Sequence, residues 1–196
     1  MIILVAGGPA AGKKSVCEEI KSIVGSQAPD ITVVNVDMED WYDQKYNPTV
    51  NYTGLIEYLS TFSSTHIILV YGRYALADPR LRSLARFKVF VDTDSDEQLS
   101  QWLLRDHEKR DINEIFNEYL NTARIEYIER ISETKSNADI LLPRGKESLG
   151  LVVLAQSIVD ALEREDGGYI PPQPVKKIDL RRELFEQLDG RYYSAA

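Results

Sequence analysis

Residues Gly7-Gly8-Pro9-Ala10-Ala11-Gly12-Lys13-Lys14-Ser15 stand between a short apolar run, Ile2–Ala6, and a segment of helical period, about Lys13–Val24. A glycine-rich turn that leaves a strand and opens a helix can aim successive backbone N–H groups at an anion. The helix N-terminus adds its partial positive charge, and a lysine at the end of the turn reaches the β- and γ-phosphates of a nucleotide. These are the spacing and context of a P-loop, and they assign Gly7, Gly8, Ala10, Ala11, Gly12, Lys13, Lys14 and Ser15 to nucleotide binding. The plainer alternative is a glycine-rich turn with a surface lysine. One position departs from the pattern. After Lys13 a Ser or Thr hydroxyl should ligate Mg²⁺, but Lys14 stands there, and an ammonium repels a metal cation. Ser15 lies about 100° further around the helix and cannot simply take over. Either the metal is held differently or Lys14 itself supplies charge to the triphosphate.

Apolar runs at Ile2–Ala6, Ile31–Val36, Ile67–Tyr71, Phe87–Val91 and Ala138–Leu142 alternate with segments of helical period. Each run is nearly continuous in Val, Ile or Leu, as expected of strands covered on both faces. Helices are expected at about Lys13–Val24, Tyr52–Phe62, Pro79–Ala85, Asp96–Asp106, Ile112–Glu133 and Glu147–Arg164. Asp78 before Pro79 is a helix-start signal, and Asp111 with Glu114 has capping-box spacing. The alternation predicts an α/β fold with a five-stranded parallel sheet between two layers of helices. Residues 1–164 are expected to form one domain. Gly167, Gly168, Pro171, Pro172 and Pro174 mark 165–196 as a linker and tail, with Lys176–Leu188 as a candidate amphipathic helix.

Composition excludes several functions. The 23 Lys and Arg against 31 Asp and Glu leave a net charge of −8. There is no basic stripe, so a nucleic-acid partner is not expected. The single cysteine, Cys17, cannot form an intramolecular disulfide. No apolar run approaches the roughly 20 residues that cross a bilayer, and Met1–Ala6 is too short for a signal sequence. A cytoplasmic or nucleocytoplasmic protein with no membrane partner is therefore expected. His66 and His107 read as loop and surface residues, and no metal cluster appears at zinc spacing.

Phe90-Val91-Asp92-Thr93-Asp94-Ser95-Asp96, Leu99, Leu104-Arg105-Asp106, Thr134-Lys135, Ala138-Asp139 and Pro143-Arg144-Gly145 follow one another along the chain. In this order they resemble the uridine kinase (uridine–cytidine kinase) family of P-loop phosphotransferases. The similarity runs from about Ile2 to Gly145, with further helix to about Leu162. The resemblance implies a P-loop NTPase/nucleoside kinase fold, ATP as donor, and Mg²⁺ where catalysis operates. The implied reaction transfers the γ-phosphate to the 5′-hydroxyl of a nucleoside.

The family's catalytic carboxylate falls on Glu39, followed by Asp40, Trp41 and Tyr42. Asp37 is the other candidate, because it lies at a strand's carboxyl end, where α/β ligand sites form. The plainer alternative leaves Asp37, Glu39 and Asp40 in a solvated loop with Trp41 as a core anchor. Where the family's third strand ends in Glu-Gly, this chain has Tyr71-Gly72, with Arg73 next. Tyrosine is neutral at pH 7 and a poor magnesium ligand. The family's lid arginines are represented by Arg105, Lys109 and Arg110, whereas Gln98, Gln101 and Trp102 stand at other arginine positions. For Arg105, a pocket cation and a surface ion pair with Asp106 or Glu108 are equally good readings. Tyr46-Asn47-Pro48 resembles the family's Asp-His-Pro, with Tyr46 at the ribose-binding position, and Leu59–His66 leaves no room for the base-binding hairpin.

The resemblance thus assigns catalysis to Lys13, Glu39 and Arg105. Lys109, Arg110 and Arg144 join the loop in nucleotide binding, and Asp37, Asp40, Tyr42, Tyr46 and Arg73 face the acceptor. No metal ligand is assigned, since Lys14 and Tyr71 occupy those positions. The family commonly forms tetramers, so a homo-oligomer is also an expectation. Two functions remain open: a nucleoside kinase whose partners are nucleotide and nucleoside, and a nucleotide-binding pseudokinase with a regulatory or scaffolding role.

Overall fold

The computed structural model describes residues 1–63, 66–143, 145 and 149–165. Strands β1 (Ile2–Gly7), β2 (Thr32–Asp37), β3 (His66–Tyr71), β4 (Phe87–Asp92) and β5 (Ile140–Pro143) form one sheet in the order β2-β3-β1-β4-β5. Every neighbouring pair is parallel. The helices are α1 (Lys13–Gln27), α2 (Tyr52–Ser60), α3 (Pro79–Leu84), α4 (Ser95–Asp106), α5 (Ile112–Glu118), α6 (Arg124–Glu126) and α7 (Leu149–Glu165). This is the three-layer α/β P-loop fold. The linker, the Lys176–Leu188 segment and Arg144 lie outside the described residues.

Alternation along β1 builds a core on each face of the sheet. Ile3 and Val5 pack with Val16 and Ile20 of α1 and with Leu154 and Ile158 of α7. Leu4 and Ala6 pack with Leu55, Leu81, Phe90 and Ile131 on the opposite face. Because β1 lies between β3 and β4, the chain leaves it in one direction for β2 and β3 and in the other for β4 and β5. Such a reversal opens a crevice at the carboxyl ends of the strands, and the glycine loop after β1 lies there.

Local chemistry sets the helix boundaries. The Asp78 carboxylate accepts from the N–H groups of Arg80 and Leu81, with Pro79 in the first turn. Asp111 likewise accepts from Asn113 and Glu114. Strand β5 begins two residues later than its apolar run, because Asp139 engages Lys88 twice. It donates its N–H to Lys88 O at 2.7 Å and accepts the Lys88 N–H at Oδ2 at 3.0 Å.

The helix expected over Ile112–Glu133 is not uniform. After α5 comes a wide π turn at Tyr119–Ala123, then α6, a second wide turn at Tyr127–Ile131 and a 3₁₀ turn at Ser132–Asn137. A π turn absorbs about one extra residue per turn. In a regular helix, positions 118 and 126 would sit roughly 80° apart; with one residue absorbed they fall within about 20°. Glu118 and Glu126 therefore face the same side.

Candidate active site

The P-loop gains its shape from two backbone requirements. Gly12 caps α1 in the left-handed region at φ 82°, a conformation that costs glycine nothing. At Gly7 a β-carbon would lie 2.7 Å from Val91 O on the neighbouring strand, which excludes any side chain. Beneath the loop, the Thr93 hydroxyl donates to Ala11 O at 3.3 Å, and Gln98, 1% exposed, donates from Nε2 to Thr93 O at 2.7 Å. No side chain caps the start of α1, so its first N–H groups are left to a ligand. The Lys13 ammonium folds back on the loop, donating to Gly8 O at 2.6 Å. Burial, and after it the positive charge of Arg73, lowers its pKa from 10.5 to about 8.

Opposite the loop, Asp37 ends β2 and accepts the Glu39 N–H at 3.0 Å, which turns residues 38–41 into a short 3₁₀ segment. Met38 is buried while Glu39 remains exposed at the cleft. Trp41 packs against Tyr58, with ring centroids 5.3 Å apart. Residues 42–50 then close on themselves through the Tyr42–Val50 bridge and a 2.7 Å bond from Thr49 N to Asp43 Oδ1, which projects Lys45 and Tyr46 into the cleft.

Two carboxylates from the helix opposite clasp this loop. Glu118 accepts from Lys45 Nζ (2.5 Å) and the Tyr46 hydroxyl, and forms an ion pair with Arg110 Nη2 at 2.6 Å. Burial raises its pKa, but these three cationic and hydroxyl partners outweigh that and lower it to about 2. Glu126, 1% exposed, accepts from Asn47 N (2.8 Å), the Tyr74 hydroxyl (2.7 Å) and Arg73 Nη1 (2.5 Å). Arg73 is itself buried. Its Nη2 donates to Lys45 O, and its guanidinium lies 5.4 Å from the Tyr42 ring centroid and 5.9 Å from that of Tyr46. Its Nε has no hydrogen-bond partner among the described residues and lies 3.9 Å from Glu39 Oε1. Nothing in the sequence singled out Glu118 or Glu126, because all their partners but Arg110 lie 52 to 79 residues away.

One cleft of about 500 Å³ gathers Ala10, Ala11, Gly12, Lys13, Lys14, Ser15, Asp37, Glu39, Tyr46, Tyr71, Arg73 and Arg105. Gly7, Gly8 and Tyr42 were also expected at the site but do not line the cleft; Tyr42 instead packs its ring against the Arg73 guanidinium. Asp40 is exposed and does not line the cleft. Arg105 satisfies both of its readings: it lines the cleft, and it pairs with Asp106 at 2.7 Å while stacking on Trp102. Neither Lys109 nor Arg110 lines the cleft. Arg110 is drawn away by Glu118, and Lys109 points to solvent. Trp102, at a lid-arginine position, is 4% exposed and packs edge-on against Tyr119, so it anchors the lid.

The residues present do not fit the family's magnesium position. Lys14 stands where a hydroxyl ligand belongs, and Tyr71 stands where a carboxylate belongs. Burial, and after it the charge and hydrogen bonding of Asp37, pushes Tyr71 above the usual phenol range, so it presents a neutral hydroxyl. Asp37 is engaged by Tyr71 and by Glu39 N–H, and the Glu39 carboxylate lies beside Arg73. Among the described residues no group of three or more His, Cys, Asp or Glu is placed to hold a metal.

A parallel sheet with a glycine loop at its switch point, and a lysine facing a carboxylate across the crevice, defines a P-loop protein of the small-kinase type. The profile of the Phosphoribulokinase / Uridine kinase family matches residues 53–149, which span β3 to β5 and the lid. DAS2 of Saccharomyces cerevisiae, provisionally named a uridine kinase, is 27% identical over 98% of this chain and 94% of its own length. Uridine-cytidine kinase 2-B of Danio rerio is 26% identical over 88% of this chain and 83% of its own. Uridine kinase of Clostridium botulinum is 40% identical over 40% of this chain and 39% of its own. The chain belongs to the phosphoribulokinase/uridine kinase family, as a divergent member. No described helix is long and apolar enough to cross a membrane.

Proposed function

We propose that this chain is an ATP-dependent phosphotransferase acting on the 5′-hydroxyl of a nucleoside. Uridine and cytidine are the first acceptors to test, from the names of its relatives. The observation that carries this reading is the meeting of Lys13 and Glu39 across one cleft. Phosphoryl transfer asks little covalent chemistry of a protein, only alignment of two substrates and charge to match the phosphates. The loop amides and Lys13 hold the β- and γ-phosphates. Glu39, exposed at the cleft rim, accepts the proton of the attacking hydroxyl, and Arg105 adds charge at the transferring group. Lys45, Tyr46 and Arg73, fixed by Glu118 and Glu126, shape the acceptor end.

A second reading, nucleotide binding without efficient transfer, is favoured by the paired presence of Lys14 and Tyr71. A phosphate-transfer assay over a panel of nucleosides separates the two. Turnover that falls at least 100-fold in both Lys13→Ala and Glu39→Gln supports the kinase; a single missing general base or phosphate clamp costs on that order. Nucleotide binding with no turnover for any acceptor supports the second reading.

A further inference from the structure

The cleft carries its own cations where a metal is expected, and most of its other charges are already neutralised. Lys45, Arg73 and Arg105 are paired with Glu118, Glu126 and Asp106 respectively. Lys14 makes none of these pairs. It is exposed in the first turn of α1 and lines the cleft beside Lys13. A P-loop hydroxyl at its position would hand a divalent ion to the β- and γ-phosphates. The Lys14 ammonium cannot do so, but it can meet the same oxygens directly as a point charge with three donors.

The opposite wall gives a metal no better purchase. The Asp37 carboxylate is taken up by Glu39 N–H and Tyr71, and the Glu39 carboxylate lies 3.9 Å from Arg73 Nε. A divalent ion settling there would face the positive charges of Lys13, Lys14 and Arg73 while displacing contacts the carboxylates already make. Ser15 also lines the cleft, but one residue on it is turned roughly 100° from the metal-ligating direction.

From this we infer that the chain binds a nucleoside triphosphate without a divalent cation, with Lys14 supplying the charge that the metal supplies in a standard P-loop. The inference rests on the loop's being a nucleotide site, as proposed above. It concerns binding, and it holds whether or not transfer follows.

Calorimetric titration of the full chain with ATP, once in EDTA and once in millimolar Mg²⁺, tests it. Wild-type dissociation constants in the two buffers are expected to agree within about threefold. In Lys14→Ser, affinity in EDTA should fall tenfold or more, and added Mg²⁺ should recover most of that loss. Wild-type binding tenfold or more weaker in EDTA than in Mg²⁺ overturns the inference. So does a Lys14→Ser variant with the wild-type response to Mg²⁺. Equal binding in both buffers without turnover removes the kinase reading and leaves this one intact. No binding in either buffer removes both.

Discussion

Replacing Glu126 with alanine gives the sharpest test of how the acceptor end is built. Its carboxylate is buried and receives Arg73, the Tyr74 hydroxyl and the Asn47 N–H together. Truncation leaves a buried guanidinium without a counter-charge, and two other donors lose their acceptor. Breaking a buried pair from one side costs about 3–5 kcal/mol, because the remaining charge stays desolvated. For a chain of this size, each kcal/mol shifts Tm by roughly 2–4 °C, so Tm should fall by roughly 6–20 °C. Thermal and urea unfolding followed by far-ultraviolet circular dichroism would read this directly. The double variant Arg73→Met with Glu126→Leu removes both charges, and apolar replacement of a buried pair is often near neutral. It should therefore recover most of the lost stability. A Glu126→Ala loss below about 1 kcal/mol, well under the usual cost of a broken buried pair, would refute the reasoning. So would a double variant no more stable than the single one.

Two pH dependences follow from the perturbed groups. The lowering of the Lys13 pKa to about 8 means that the free loop loses its ammonium as pH rises through that value. ATP affinity should therefore be flat below neutral pH and weaken between pH 8 and 9.5, by at most tenfold per pH unit. Titrations across that range check it, and Lys13→Met should abolish the slope. For Glu118, the folded pKa is depressed from 4.5 to about 2. Its stabilisation is present above the higher value and is lost as pH falls toward the lower. The stability gap between wild type and Glu118→Gln, measured by urea unfolding, should be full at pH 7 and should shrink at pH 3. A gap unchanged between those conditions would contradict the clasp described for Glu118.

The layout of the sheet was legible because it depends on short-range pattern. Continuous apolar runs locate the strands, and Asp78 and Asp111 mark helix starts through contacts two or three residues away. The phosphate loop was legible for the same reason, since its function follows from consecutive residues. What the sequence hid are the pairings between distant segments. The residues 42–50 loop is set by Glu118 and Glu126, and no local periodicity reveals that two carboxylates spaced eight apart share a face. The wide turns that align them leave no compositional mark. Trp102 is similar: its lid position suggested a lost arginine, whereas packing against Tyr119 makes it a structural anchor. Arg110 was expected at the phosphates for its charge and is instead captured by Glu118.

The wide turn at Tyr119–Ala123 also marks where this chain can change length. Losing the one absorbed residue there would restore regular winding and leave the two carboxylates seven steps apart, still within about 20° of one face. A deletion from a regularly wound stretch between them would instead rotate everything beyond it by roughly 100° and swing Glu126 off Arg73. Single-residue variation is therefore tolerated at this turn, which keeps the recognition surface in its reading frame.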